Sequence, residues 1–273
     1  MRRIYLYIIS IVLFLSLGFY WTIEKNLKPQ LNEVFIQLPS NNLNIPLNIA
    51  VIGDTHTEED EKSYQKFKTV LNKVELIKPD LLLLVGDYTS NPSSVSNFKE
   101  HRMKLINIIS SYKASPYALV LGNYESWSNP EEWIKQFNLK NVPILENQTK
   151  ILDINKTKVC IRGLGDYYTN RFKYIDFPKE CNNYAKITIT HDPAGAFTPK
   201  SEGLFISGHT HCGQVSLPFI GPLWVPTEAP REAYCGLFKK GNKTIFTTSG
   251  IGTSIYPIRI GTQSQWDLLK IIF

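Results

Sequence analysis

Leu47-Asn48-Ile49-Ala50-Val51-Ile52-Gly53-Asp54-Thr55-His56 is an apolar run that breaks at a glycine and delivers a carboxylate and an imidazole. The same arrangement recurs along the chain. Leu81 to Val85 leads into Gly86-Asp87, Tyr117 to Leu121 into Gly122-Asn123, and Ile187 to Thr190 into His191. Leu204 to Ser207 leads into Gly208-His209-Thr210-His211. Short apolar runs bounded by turn residues read as buried strands. Carboxylate, amide and imidazole groups gathered at strand ends are the donor set of a hydrolytic metal centre.

Between these strands the pattern changes period. Glu61 to Ile77 carries Phe67, Val70, Leu71 and Val74 at helical spacing, and Pro79 stops it. Further helices are predicted near Phe98 to Ser111 and after Asn129-Pro130. The second half is richer in strands, at Ile151 to Ile154, Lys158 to Leu164, Thr244 to Thr248 and Trp266 to Ile272. Helices early and strands late predict an α/β domain of two facing sheets with helices outside, a four-layer α/β/β/α sandwich.

Asp54-x-His56, Gly86-Asp87, Gly122-Asn123, His191 and Gly208-His209-x-His211 together resemble the signature of the calcineurin-like metallophosphoesterases. Order and spacing match over residues 48 to 214. The tail, from Gly250-Ile251-Gly252-Thr253-Ser254 to Pro257-Ile258-Arg259, is similar to the membrane-associated bacterial phosphodiesterase branch. The resemblance implies that Asp54, His56 and His211 hold one divalent metal. Asn123, His191 and His209 would hold a second, with Asp87 shared. Manganese, iron and zinc all suit this mixed N/O set. Two such ions supply a bridging hydroxide and clamp a phosphoryl group, so no protein nucleophile is needed. Asp54 and His56, like His209 and His211, are two residues apart, and on an extended segment both members point to one side.

One position departs from the family. The usual Gly-Asn-His followed by an acid reads Gly122-Asn123-Tyr124-Glu125. A tyrosine hydroxyl, with a reference pKa of about 10, is a poor general acid at neutral pH. Asn123, Tyr124 and His209 are therefore the expected catalytic residues of an enzyme for good leaving groups, a phosphodiesterase or pyrophosphatase. A phosphomonoesterase, or a non-catalytic metal-binding protein of the same fold, stands as the alternative.

The chain also carries an N-terminal signal. Ile4 to Trp21 is 18 residues without a charge. At ~1.5 Å per residue it reaches about 27 Å, close to a hydrocarbon core of roughly 30 Å. Residues 1 to 24 therefore read as a single-pass membrane anchor, 25 to 46 as a polar linker, and 47 to 273 as the catalytic domain. Arg2, Arg3 and the terminal amine slightly outweigh Lys25 and Lys28, which places the N-terminus inside and the domain outside the cytoplasm. Net charge is +6. Half of that lies in residues 1 to 28, so no nucleic-acid partner is expected. Val215 to Pro226, apolar and rich in proline and glycine, directly follows the last histidine and should line the site, facing a lipid or lipid-linked substrate or folding over the core. Cys160, Cys181, Cys212 and Cys235 lack metal-site spacing; a Cys160–Cys181 bridge and four thiols are both open. Asp166 and Asp192 read as supports for the ligands or as exposed turn residues, and His101 as a surface histidine.

Overall fold

The computed structural model describes residue 20, residues 24–38 and residues 45–273. Apart from Tyr20, the apolar N-terminal run lies outside these residues. Among the described residues no helix is long and apolar enough to cross a membrane.

Two mixed sheets face one another. The first comprises β1 (Gln30–Gln37), β2 (Pro46–Ile52), β3 (Leu81–Leu84), β4 (Tyr117–Leu119) and β13 (Gln265–Ile272), in the order β1-β13-β2-β3-β4. The second comprises β5 (Gln148–Ile154), β6 (Thr157–Gly163), β7 (Ala185–Ile189), β8 (Gly203–Ser207), β11 (Gly236–Lys240) and β12 (Lys243–Thr247), in the order β11-β12-β8-β7-β6-β5. Strands β2, β3 and β4, and β6, β7, β8 and β12, run parallel to their neighbours within each group. Consequently the strand ends that carry ligands in each group point the same way. A separate hairpin, β9 (Ser216–Leu217) with β10 (Gly221–Pro222), stands apart from both sheets.

The two sheets bury Ile49, Val51, Leu83 and Val85 against Ile161, Ile187, Ile189 and Ile206. On its other face the first sheet is covered by α1 (Glu61–Ile77), α2 (Phe98–Ser110) and α3 (Pro130–Leu139). Phe67, Val70, Val74, Leu105, Trp133 and Phe137 face it, as helical spacing dictates. Asp60, Asn97 and Asn129 cap these helices by accepting N–H bonds from their first turns. The outer face of the second sheet is different. Phe205 and Ile245 are covered by Leu164, Phe172 and Phe197, from loops and short 3₁₀ turns. Among the described residues the fourth layer is not helical, because the crossovers between β6, β7, β8 and β12 are too irregular to form one.

Two further expectations, the linker and the surface His101, are corrected, and the open state of the cysteines is decided. The segment read as linker contains β1, which pairs in parallel with β13 from Gln30↔Gln265 to Gln37↔Ile272. Val34 and Ile36 alternate inward against exposed Glu33, Phe35 and Gln37, a period-two signal in a segment that is otherwise polar. All four cysteines are paired, as Cys160–Cys181 and Cys212–Cys235. His101 is fully buried rather than on the surface. Its Nδ1 lies 2.6 Å from the Tyr64 hydroxyl and its Nε2 3.1 Å from Thr89 Oγ1.

Burial lowers the His101 imidazole to about 4. The folded state then binds fewer protons than the unfolded chain below about pH 6.5, so stability is complete above that value and is lost as pH falls toward 4. The full effect is on the order of 3 kcal/mol. Urea unfolding followed from pH 7 to 4 should show a shallower loss of stability in His101→Gln than in the parent. Parallel pH profiles would contradict the assignment.

Candidate metal centre

The four strand-end loops are stitched together before any ligand is considered. Asp54 N–H donates to Gly86 O at 3.0 Å and His56 N–H to Asp87 O at 3.1 Å. Gly208 N–H donates to His191 O at 2.9 Å, and His209 N–H to Asp54 Oδ1 at 2.9 Å. Glu125, fully buried, draws the loops after β3 and β4 together. Its carboxylate accepts N–H bonds from Asp87, Tyr88, Thr89 and Gly122, at 2.8 to 3.0 Å. Burial pushes this carboxyl up to about 7, and the four amides oppose that shift. Two of the glycines are explained by crowding. A Cβ on Gly208 would collide with Asp54 Oδ2, and one on Gly122 with Asp87 Oδ1.

The result is two adjoining triads, Asp54–His56–His211 and Asp87–His191–His209, all buried. Within the first, His56 Nε2 lies 2.9 Å from His211 Nε2, and His211 Nε2 3.7 Å from Asp54 Oδ1. In the second, His191 Nε2 lies 3.3 Å from Asp87 Oδ2 and 3.1 Å from Asn123 Oδ1. Asp87 Oδ2 is also 3.5 Å from His56 Nε2, so one carboxylate oxygen stands between the triads. Its partner Oδ1 is held by the Tyr124 N–H at 2.9 Å. All seven sequence-predicted ligands, with Asn123 as the amide, are therefore brought to one place. The backbone does this differently from the extended segments foreseen. Asp54, His56, Asp87, His209 and His211 all have positive φ, between 40° and 69°. Left-handed turns let His209 and His211 diverge, one to each triad.

Several features fit divalent cations. His191 donates Nδ1–H to Val85 O at 2.7 Å, and His209 donates Nε2–H to Pro226 O at 2.6 Å. Each bond occupies one ring nitrogen and turns the other toward its triad. Asp54 Oδ2 is buried without a hydrogen-bond partner. Burial keeps His56 neutral, lowering it to about 4, and burial followed by the neighbouring His56 drives His211 well below the usual imidazole range. His191 is the exception: burial opposes its charge, but Asp87 outweighs burial and holds it protonated well above that range. A proton there does what a cation would do, neutralising Asp87.

Residues around the triads were less visible in the sequence. Arg259 is fully buried and donates to the carbonyls of Ser249, Gly250 and Gly252, with Nη2 3.2 Å from His211 Nδ1. Tyr124 packs edge-on to His56 at 4.8 Å between ring centroids, and its hydroxyl lies 2.9 Å from Ser254 Oγ. Tyr168 covers His209 at 4.8 Å. Asp192 and Asp166 are buried, not exposed. Asp192 accepts from Ala194 N–H and the Thr227 hydroxyl, and Asp166 from Thr169 N–H and hydroxyl; they organise turns beside the ligands. Cys212, directly after His211, is tied to Cys235, and Thr210 bonds Tyr234 O at 2.6 Å, so the histidine loop is pinned at its base.

That pinning has a measurable consequence. Replacing Cys212 and Cys235 by alanine should weaken manganese binding about tenfold, the scale of lost support for a metal ligand, when titrated by calorimetry. The Cys160→Ala/Cys181→Ala pair should lower Tm, with roughly 2–4 kcal/mol lost, and leave manganese affinity unchanged. Equal affinity in both double variants would show that the bridge does not position His211.

Comparison with known proteins agrees with this geometry. Residues 47–213, more than half of the chain, match the model of the calcineurin-like phosphoesterase family. The phosphodiesterase YaeI of Escherichia coli is 28% identical over 200 residues, covering 71% of each chain. The uncharacterized metallophosphoesterase YkuE of Bacillus subtilis is 26% identical over 219 residues, 77% of this chain and 74% of its own. A Danio rerio transmembrane protein with a metallophosphoesterase domain is 23% identical over 94% of this chain and 61% of its own length. The 5'-nucleotidase precursor from Thermus thermophilus shares the fold, with a TM-score of 0.50 and 13% identity over 83% of this chain and 55% of that one. The chain belongs to the calcineurin-like phosphoesterases and is a metal-dependent phosphoesterase.

Proposed function

We propose that this enzyme is a membrane-tethered phosphodiesterase or pyrophosphatase, using two divalent cations held by Asp54, His56 and His211 and by Asn123, His191 and His209, with Asp87 shared. When bound, the pair supplies Lewis acidity and an activated water. The residues supply the rest. Asp87, fixed through its Oδ1, keeps the two sites in register, and the bonds to Val85 O and Pro226 O aim the other ring nitrogens of His191 and His209 into them.

Tyr124 carries the reading toward diesters. Burial raises its hydroxyl above the ordinary tyrosine value, so it keeps its proton at neutral pH. Its oxygen lies 2.9 Å from Ser254 Oγ, and with Ser254 as the donor the phenolic proton would be free for a substrate oxygen. Such a group hydrogen-bonds a phosphoryl or leaving oxygen but is a weaker general acid than an imidazolium, with a reference pKa of about 10 against about 6.5. Phosphodiester and pyrophosphate leaving groups that depart as stable anions are the chemistry it suits. The name of the Escherichia coli relative, a phosphodiesterase, supports the same reading. Tethering rests on the uncharged run from Ile4 to Trp21 and its basic flanks, and the Danio rerio relative is named as a transmembrane protein.

With manganese, the full chain should turn over bis-p-nitrophenyl phosphate faster than p-nitrophenyl phosphate. Asp87→Ala should abolish both activities, and Tyr124→Phe should cost about tenfold on the diester, the scale of one lost hydrogen bond to charge. Tyr124→His should narrow the preference. Equal rates on both esters for parent and both Tyr124 variants would remove Tyr124 from the account, and a faster monoester would favour a phosphomonoesterase.

A further inference from the structure

An apolar ridge protrudes from this molecule that neither the core nor the metal centre uses. The β9–β10 hairpin carries Phe219 and Ile220 at its tip and Leu223 and Trp224 just beyond, all exposed. A second loop adds exposed Ile255 and Tyr256. The two loops are one unit. Gln214 Nε2 donates to Ser254 O at 2.9 Å and to Tyr256 O at 3.1 Å, and Ser216 N–H donates to Ile260 O at 2.8 Å.

This unit stands where the N-terminal segment joins the domain. Ser264 N–H donates to Asn26 O at 2.8 Å, Gln263 Nε2 to Lys28 O at 2.8 Å, and Asn26 Nδ2 to Arg259 O at 3.4 Å. Residues 259–264 are thus bonded on one side to the segment that follows the uncharged run 4–21, and on the other to the base of the hairpin. Beside the N-terminal segment lies a cleft of about 500 Å³, lined by Leu27, Lys28, Pro29, His56, Thr253 and Pro257. The root of the N-terminal run, the exposed ridge and a cleft that reaches a metal ligand are thus joined through residues 251–264.

We propose that Phe219, Ile220, Leu223, Trp224, Ile255 and Tyr256 form a docking surface for a lipid bilayer. It lays the mouth of the cleft on the membrane, and the substrate is an amphiphilic phosphodiester or pyrophosphate taken directly from it. This rests on the tethered phosphodiesterase reading above. The bilayer is the occupant because the uncharged run of 18 residues leads into this same edge of the domain. Apolar side chains with Trp and Tyr at one level are the composition of an interfacial contact.

The test uses the full chain reconstituted in phosphatidylethanolamine–phosphatidylglycerol liposomes, carrying Phe219→Cys labelled with a nitrobenzoxadiazole dye. The control label sits at Leu76→Cys, exposed on α1. Phe219 dye emission should shift to the blue and be quenched by nitroxide-labelled lipid, while the Leu76 dye stays water-like. In Phe219→Ser/Ile220→Ser, turnover of soluble bis-p-nitrophenyl phosphate should be unchanged, and that of a liposome-borne fluorescent phosphodiester lipid should fall about tenfold or more. A water-like Phe219 dye on protein that floats with liposomes would overturn the docking surface and leave the anchor standing. Protein that does not float would overturn both, and loss of soluble turnover in the parent would overturn the phosphodiesterase reading instead. A blue shift that depends on protein concentration and not on nitroxide lipid would assign the ridge to a second copy of the chain.

Discussion

Buried acceptors that face one another are the constraint on which this structure turns. Nε2 of His56 and His211 approach to 2.9 Å, and Nε2 of His191 meets oxygens of Asp87 and Asn123 at 3.3 and 3.1 Å. Lone pairs at such separations repel in a low-dielectric interior unless a shared proton or a cation lies between them. The protein meets this in part with a proton on His191, drawn there by Asp87. Divalent cations meet it fully, and metal binding and local stability are therefore linked.

The remainder of the fold resists the collapse of that arrangement. Two sheets with parallel inner strands bring their ligand-bearing ends to one side. Glu125 gathers four amides, Arg259 ties the loop at 249–252 beneath His211, and the Cys212–Cys235 bridge anchors the histidine loop. They hold five residues in left-handed turns, a conformation that costs each of them energy and that an open loop would not keep.

Much of the site was legible because ligand chemistry is local in sequence: each motif follows its own strand, so seven ligands and the inner strands could be placed without knowing the topology. What depends on distant partners was not legible. Strand β1 reads as linker because it is polar and its partner β13 lies 235 positions away, from Gln30 to Gln265. The disulfides depend on which loops meet in space, and spacing alone does not give connectivity. His101 looked superficial because Tyr64 and Thr89, which satisfy its ring, come from other elements. The pairing of His56 with His211, and of His191 with His209, came from resemblance; the turns that produce it carry no signal in the residue pattern.

Function then follows from what surrounds a common centre. Under the proposed function the buried Tyr124 favours leaving groups that need no proton, and a cleft reaches from His56 to residues 27–29. The shared carboxylate of Asp87 is the claim on which the rest stands. Anomalous diffraction at the manganese edge from crystals grown with manganese tests it directly. The account predicts two peaks, one among Asp54, His56 and His211 and one among Asn123, His191 and His209, both in contact with Asp87. A single peak, or two that do not share Asp87, would contradict it.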